Sequence, residues 1–509
     1  MLNYERQVGG EALMKLIDTR EVARASVGLG IAMSLSSLIL WKSSWLVSSI
    51  PSIYSSHGVG VLVGVLVCLA AFAWSCASPR SLRLFLERVY PPVMVLALLY
   101  SYLPGSAVFL PLNLLVGYAI PVAGTYLFIF AWFFLVAAQD MENGLLSILL
   151  AWVLTVLLRA FFEFFDGGAA KLAISALLVC LMWGLLLFQS KRVDESLPMV
   201  ANKPSENRAS YVHALRSIWK CVLYGGSFAF LGGVIRSLSL QADAMMYINY
   251  ASVLGGLVSA LALVAIWRFR TIRYSINHLF RVMFPFLVVV LCALPFIGMD
   301  SLVVTAAAIY ITYSFMGLSL QVLCLQTAHD YGVNPVFCIS FQIGVSLCTQ
   351  GLGYLLGNAV NIAVLSSIPP LASIALISVA MLALVMYLTR GLSISQEEEG
   401  RDIEFLSLSR KAHRTGEGDD GETAVPWDDD VKYADRLSIR CDLIGKKYYL
   451  SQREIEVMHL FARGYTMAAI AQELFISENT VKTHMRRLYA KVGVHKKQQL
   501  LSMLNNYVE

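Results

Sequence analysis

Between residues 478 and 497 six basic side chains (Lys482, Arg486, Arg487, Lys491, Lys496 and Lys497) stand against one acid, Glu478. At helical spacing Lys482, Thr483, Arg486 and Arg487 share one face, while Val481, Leu488 and Tyr489 share the other. A solvated face ordinarily mixes signs, so one-signed charge on a short amphipathic helix points to a polyanion. Arginine and lysine offer donors that suit guanine, and threonine suits a base edge or the thymine methyl. Contacts to phosphate position such a helix without reading sequence, which is the chemistry expected of Lys491. The polyanion these groups fit is double-stranded DNA.

The neighbouring sequence supplies the elements that must hold that face. Ser451-Gln452-Arg453-Glu454 reads as a capping box, followed by a helix whose inward side is Ile455, Val457, Met458, Leu460 and Phe461 and which ends at Gly464. A second helix spans 466–474 with Ile470 and Ala471 inward, Phe475-Ile476 makes the turn, and Ser477 caps the basic helix over 478–492. Gly493 stops it, and a fourth helix over 496–506 carries Leu500, Leu501 and Leu504 on one side. Leu437, Cys441, Ile444 and Tyr448 recur at helical spacing and predict a lead-in helix.

The ordered string Leu-Ser-x-Arg-Glu-x-Glu-Val at 450–457, Gly464, Ile470-Ala471, Ile476-Ser477, Thr480-Val481-Lys482, His484 and Lys491-Val492-Gly493-Val494 resembles the LuxR-type helix-turn-helix domain over about 448–506. The resemblance implies that Lys482, Thr483 and Arg486 approach base edges, that Ser477, Thr480, His484 and Lys491 help hold the DNA backbone, and that Val481 is structural. The sequence departs from the family at Met467-Ala468-Ala469 and at Lys496-Lys497, outside the basic helix itself. One such domain covers a short half-site, so a homodimer on DNA is expected.

The rest of the chain belongs to a different solvent. Of 509 residues 57% are hydrophobic and only 14% charged, well below the charge content of soluble domains. Apolar stretches long enough to cross about 30 Å of hydrocarbon occur near 26–47, 58–77, 90–109, 112–138, 143–164, 169–189, 217–240, 245–267, 280–298, 302–325, 335–358 and 368–389. Basic residues alternate sides: Arg6, Lys15, Arg20, Arg24, Arg80, Arg83, Arg88, Lys191, Arg192, Lys203, Arg208, Arg216, Arg268, Arg270, Arg273 and Arg281 fall on the side of the N-terminus. By the positive-inside preference both termini face the cytoplasm of a cell with an inner, multi-pass membrane protein.

Arg80-Ser81-Leu82-Arg83 is echoed by Arg268-Phe269-Arg270, and Gln139-Asp140 by His329-Asp330, at an offset of about 190 residues. Two six-span halves joined through 190–210 resemble the major facilitator superfamily of transporters. The family's Gly-Asp-Arg-rich loop is reduced here to scattered arginines.

Charge inside a span is costly and usually faces a cavity. Lys42 and Arg236 occupy matching places in the first and seventh spans and form a candidate binding pair for an acidic or phenolic effector. Snorkelling to headgroups is the alternative. Arg159 and Glu163, four residues apart, read as a mutual ion pair. The nine cysteines form no CxxC or Cys/His cluster, and no phosphate loop or nucleophile elbow occurs, so neither metal, cofactor nor enzymatic activity is expected.

The organisation expected is all-α. A cytoplasmic amphipathic segment (1–24) precedes a twelve-span, 6+6 bundle in the lipid bilayer (25–390). A disordered acidic tether (391–436) and a four-helix, wing-free helix-turn-helix domain (437–509) follow. Twelve acids against four bases between 397 and 430 make the tether unable to fold alone. At some forty residues it reaches about 35 Å. Together these features predict a membrane-bound one-component transcription regulator that senses a small molecule, the competing reading being a transporter with an appended regulatory domain.

Overall fold

The computed structural model describes residues 19–46, 56–100, 113–163, 168–193, 207–241, 245–269, 273–297, 302–362, 370–391, 402–404 and 436–505, apart from 464, 475, 495 and 496, together with scattered positions in 195–204. Where no water reaches the backbone, every N–H and C=O must be satisfied within the chain, and the helix does this locally. Twelve helical stretches fall in the twelve expected windows: α1 Thr19–Leu46, α2 Ser56–Ala77, α3 (Pro79–Leu84, a π turn Phe85–Val89, Tyr90–Tyr100), α4 (a π turn Asn113–Ala119, Ile120–Ala137), α5 Met141–Glu163, α6 Gly168–Ser190, α7 Arg208–Gln241, α8 Met245–Phe269, α9 Ile276–Ile297, α10 Leu302–Tyr331, α11 Pro335–Ile362 and α12 Pro370–Gly391. Among the described residues eight helices are long and apolar enough to cross a membrane, and α9 and α12 carry shorter apolar stretches. Leu62, Leu66 and Leu69 on α2 and Leu254, Val258 and Leu261 on α8 form exposed apolar stripes, as lipid-facing helix surfaces do.

The first helix starts at Thr19, so residues 19–24 are continuous with the first long helix, and Val22 is buried within the bundle. The remainder of the expected amphipathic segment and the Pro104-Gly105 to Pro111 division lie outside the described residues. Each π turn precedes a proline, Pro91 or Pro121, whose missing N–H leaves a carbonyl one turn earlier without its helical donor. In α3 that carbonyl, Glu87 O, accepts Trp183 Nε1 of α6 at 3.1 Å.

Helix pairing repeats with a shift of six. In the first half α1 packs on α5 and α4; in the second α7 packs on α11 and α10. The halves meet through α2 with α11 and through α5 with α8, a reciprocal pair that gives the bundle a two-fold character. Glycine sets the tightest crossing: a Cβ on Gly233 of α7 would lie 2.0 Å from Gln350 O of α11, and one on Gly353 of α11 would lie 2.1 Å from Phe230 O of α7. Backbones approach this closely only without side chains between them.

Two short strands, β1 Arg273–Ser275 between α8 and α9 and β2 Asp402–Glu404 in the acidic stretch, pair antiparallel with Arg273 opposite Glu404. The stretch read as a free tether therefore contains one anchored point. The pairing joins residues about 130 positions apart, and no local pattern in the sequence announces it. The other residues of 392–435 lie outside the described set.

The C-terminal helices are α13 Arg436–Lys447, α14 Gln452–Ala462, α15 Met467–Glu473, α16 Glu478–Val492 and α17 Lys497–Asn505. They bury their own core, in which Ile444, Val457, Met458, Ile470, Val481, Leu488, Leu500 and Leu504 are fully enclosed. Replacing Gly233 or Gly353 by Val should prevent α7 and α11 from docking. Fluorescence-detected size exclusion of a tagged full-length chain is expected to show loss of the monodisperse peak, whereas Gly184→Val, with open space at its Cβ, should leave it intact.

Candidate nucleic-acid interface

Three side-chain caps define the C-terminal domain. Ser451 Oγ accepts from Glu454 N–H at 3.3 Å while Ser451 N–H donates to Glu454 Oε2 at 2.8 Å, closing the capping box on α14. Thr466 Oγ1 accepts from Ala469 N–H at 3.2 Å at the start of α15, and Ser477 Oγ from Thr480 N–H at 3.1 Å at the start of α16. The α16 helix ends at Gly493 with φ 75°, a left-handed cap that a side chain would strain.

Burial splits α16 as its sequence requires. Val481, Met485, Leu488 and Val492 face the core and Tyr489 is half-buried, while Lys482, Arg486 and Arg487 are exposed. Met485 joins this inward face although the sequence reading omitted it; its position one turn from Val481 and Leu488 was the available signal. Thr483 is half-buried and its Oγ1 donates to Asn479 O at 2.9 Å, keeping the side chain folded along the helix. Ser477 Oγ lies 2.8 Å from Thr480 Oγ1, so both hydroxyls cluster at the exposed amino end of α16. His484 is half-buried, with Nδ1 enclosed and without a hydrogen-bond partner.

Lys491 has a second engagement. Its ammonium group donates to Glu454 Oε2 at 2.6 Å and to Tyr449 O at 3.2 Å, tying α16 back to α14 and to the turn before it. Glu454 is 3% exposed, and Tyr449, 87% exposed, adopts φ 53° to aim its carbonyl at the lysine. Burial alone would raise the Glu454 carboxyl, but the bonds from Lys491 and Ser451 outweigh it and hold the group below the usual carboxylate range. The same carboxylate thus caps one helix and anchors another.

Residues 448–504 match the profile of the bacterial regulatory proteins of the luxR family. The C-terminal unit is a luxR-family helix-turn-helix domain. The chain is 53% identical over 45 residues to the probable transcriptional regulatory protein NarL in two strains of Mycobacterium tuberculosis, a match covering 9% of this chain and 21% of the relative. The chain thus spans about a fifth of the length of the curated relatives it matches. Over its other part the chain is similar to two solved structures. The proton:xylose symporter XylE, of the major facilitator superfamily, shows 10% identity and TM-score 0.45 over 76% of this chain and 97% of the other. The human organic anion transporter TETRAN shows 13% identity and TM-score 0.41 over 73% and 99%.

Of the candidate effector pair, Arg236 is the one whose side chain is among the described residues. Arg236 lies near the end of α7, half-buried, within electrostatic reach of Arg159 on α5. Lys42 is on α1, with its side chain outside the described residues, as is that of Glu163. The expected Arg159–Glu163 pair involves a side chain outside the described residues, and Arg159 also lies within electrostatic reach of Arg236 in the other half of the bundle. Among the described residues no group of three or more His, Cys, Asp or Glu side chains is placed to hold a metal.

Two outcomes follow for the luxR-family domain. Lys491→Met should lower its unfolding free energy by about 1–3 kcal/mol, because Glu454 is left buried without its charged partner, measurable by urea denaturation of residues 436–509. Since the folded Glu454 pKa is depressed, its contribution is complete above the unfolded carboxyl value of about 4.3 and is lost as pH falls through the folded value. Glu454→Gln should flatten that acid limb, and an unchanged acid transition would contradict the coupling.

Proposed function

We propose that the chain is a membrane-bound, one-component transcription regulator: the apolar bundle receives a small-molecule signal and the luxR-family domain binds DNA. The observation that carries this reading is one polypeptide joining eight membrane-length helices to an α16 whose exposed face is basic at Lys482, Arg486 and Arg487. On that face Thr483 lies opposite the core with Arg486 and Arg487 on either side of it, and Lys482, Thr483 and Arg486 are assigned to base edges. Ser477 and Thr480 at the amino end, His484 behind the face, and Arg487 and Lys491 along its side are assigned to the DNA backbone. For Lys491 two of the three ammonium donors are engaged by Glu454 and Tyr449 O, and the third is assigned to phosphate.

The β1–β2 pair supports an orientation. The α8–α9 turn carrying Arg273 and the stretch leading to the DNA-binding domain must lie on one side of the bilayer to pair, and DNA is in the cytoplasm. Positive charge on that side agrees with the preference of basic loops for the cytoplasmic face of an inner membrane. Between β2 and α13 roughly thirty residues remain, a reach of about 30 Å if extended as a coil. One domain spans a short half-site, so two chains are assigned to each operator, brought together when the effector shifts the membrane half between two states.

Arg486→Ala should cost about 1–3 kcal/mol on the cognate site and relax preference at one base position. Arg487→Ala, turned about 100° around α16, should weaken cognate and random DNA alike and reduce the salt slope by about one. Equal losses on both DNAs for the two variants, in fluorescence anisotropy titrations over a salt series, would sink this division of labour. Effector-dependent reporter output from the full-length chain, with no effector uptake in proteoliposomes, separates the regulator from a transporter carrying a regulatory domain.

A further inference from the structure

We propose that the α13–α14 turn, through the side chain of Tyr449, makes a DNA-backbone contact of its own outside α16, on the phosphate strand that Lys491 faces. The inference rests on the reading of the C-terminal domain as a DNA-binding unit, and it adds to that unit a residue that none of the helices carries.

The backbone singles this residue out. Tyr449 holds the left-handed conformation, φ 53°, that ends α13, and Leu450 N–H donates to Gly445 O at 2.9 Å around it. The α16 helix ends in the same way, with Val494 N–H donating to Tyr489 O at 3.1 Å around Gly493, φ 75°. Glycine meets this geometry without a steric penalty, whereas a bulky side chain is strained by it. Among the described residues Tyr449 is the non-glycine residue with positive φ. The fold returns nothing to its ring: the residue is 87% exposed, while its neighbours Tyr448 and Leu450 join the domain core. A strained and exposed aromatic residue at a position suited to glycine points to a contact made outside the chain.

The position of the turn identifies the partner. On α16, Thr480, His484, Arg487 and Lys491 follow one another at spacings of four, three and four residues, so they share one flank, the one assigned above to the DNA backbone. Tyr449 O accepts the Lys491 ammonium at 3.2 Å, which places the turn at the carboxyl end of that flank as its continuation. Arg487 and Lys491 are exposed there, and the Glu454 carboxylate paired with Lys491 is itself buried. A duplex seated over Thr483 runs one phosphate strand along this flank. The phenol can donate to a phosphate oxygen while its ring packs on a deoxyribose, a contact that needs no particular base. The surroundings favour DNA over an anionic lipid surface. Four polar residues in line match a strand of phosphates, whereas a lipid-seeking face carries apolar side chains, and the exposed residues beside Tyr449 are Lys447, Ser451 and Lys491.

The test measures binding of a random-sequence duplex of about 30 base pairs by the full-length chain in detergent, by fluorescence anisotropy over a salt series. Tyr449→Gly keeps the carbonyl that receives Lys491 and suits the left-handed cap. Residues 436–509, which bury a core of their own, should therefore unfold at an equal or higher urea concentration in this variant. Its affinity for the duplex should nevertheless fall about fivefold or more, with the salt slope unchanged because no charge is removed. Tyr449→Phe, which removes the hydroxyl alone, should show a smaller loss in the same direction. Undiminished duplex binding by Tyr449→Gly, or a loss accompanied by a lower urea midpoint, would overturn the contact. Weakened binding of the variant to phosphatidylglycerol vesicles, with duplex binding intact, would overturn it in favour of a lipid surface. Failure of the wild-type chain to bind any duplex removes the DNA-binding reading itself, whereas wild-type binding that Tyr449→Gly leaves intact removes this contact alone.

Discussion

The membrane part depends on how closely helix backbones can approach. At Gly233 and Gly353 the α7 and α11 helices touch through their main chains, each glycine lying over a carbonyl of the other helix. In hydrocarbon, association gains little from excluding water, so packing at short range supplies the attraction, and only small residues permit it. Gly30 serves the equivalent pair in the first half, where its Cβ position lies 3.1 Å from Ala151 O of α5. Once these pairs are fixed, the two halves adopt the same arrangement, and the positions of Arg159 and Arg236 follow from them.

The C-terminal domain solves a different problem, since it folds in water from a small core. Its helices are short, and their ends are secured by side-chain caps at Ser451, Thr466 and Ser477. Glu454 links this local order to the tertiary structure, because one carboxylate both completes the first cap and receives Lys491 from the basic helix. A charge that closes a fold in this way also sets the tilt of the helix whose other face is assigned to DNA. Lys491 is therefore held by the fold, whereas Arg486 and Arg487 stand clear of the core.

The two parts are joined at β1 and β2. A strand pair of three residues is weak alone, and its interest lies in its location: it ties the acidic stretch to a turn between two membrane helices. Motion of α8 against α9 would act directly on the segment that carries the DNA-binding domain. For the effector signal proposed above, a linkage of this kind supplies a physical route that an unanchored tether lacks.

The sequence by itself determined the helices and the chemistry of the basic face. Apolar windows of fixed length, capping residues and periodicity are local properties, so the twelve helical windows, the caps at Ser451 and Ser477, the bounds Glu478–Val492 and the stop at Gly493 could be read directly. Tertiary structure alone decided which distant residues meet. Arg159 was legible as a charge in a span, but its approach to Arg236 depends on how α5 and α7 are arranged around the junction. The β1–β2 register and the Lys491–Glu454 bond likewise join segments whose separation along the chain exceeds any local period. Local physics fixes each helix and its faces; the crossing points, set by glycine and by burial, choose the partners for those faces.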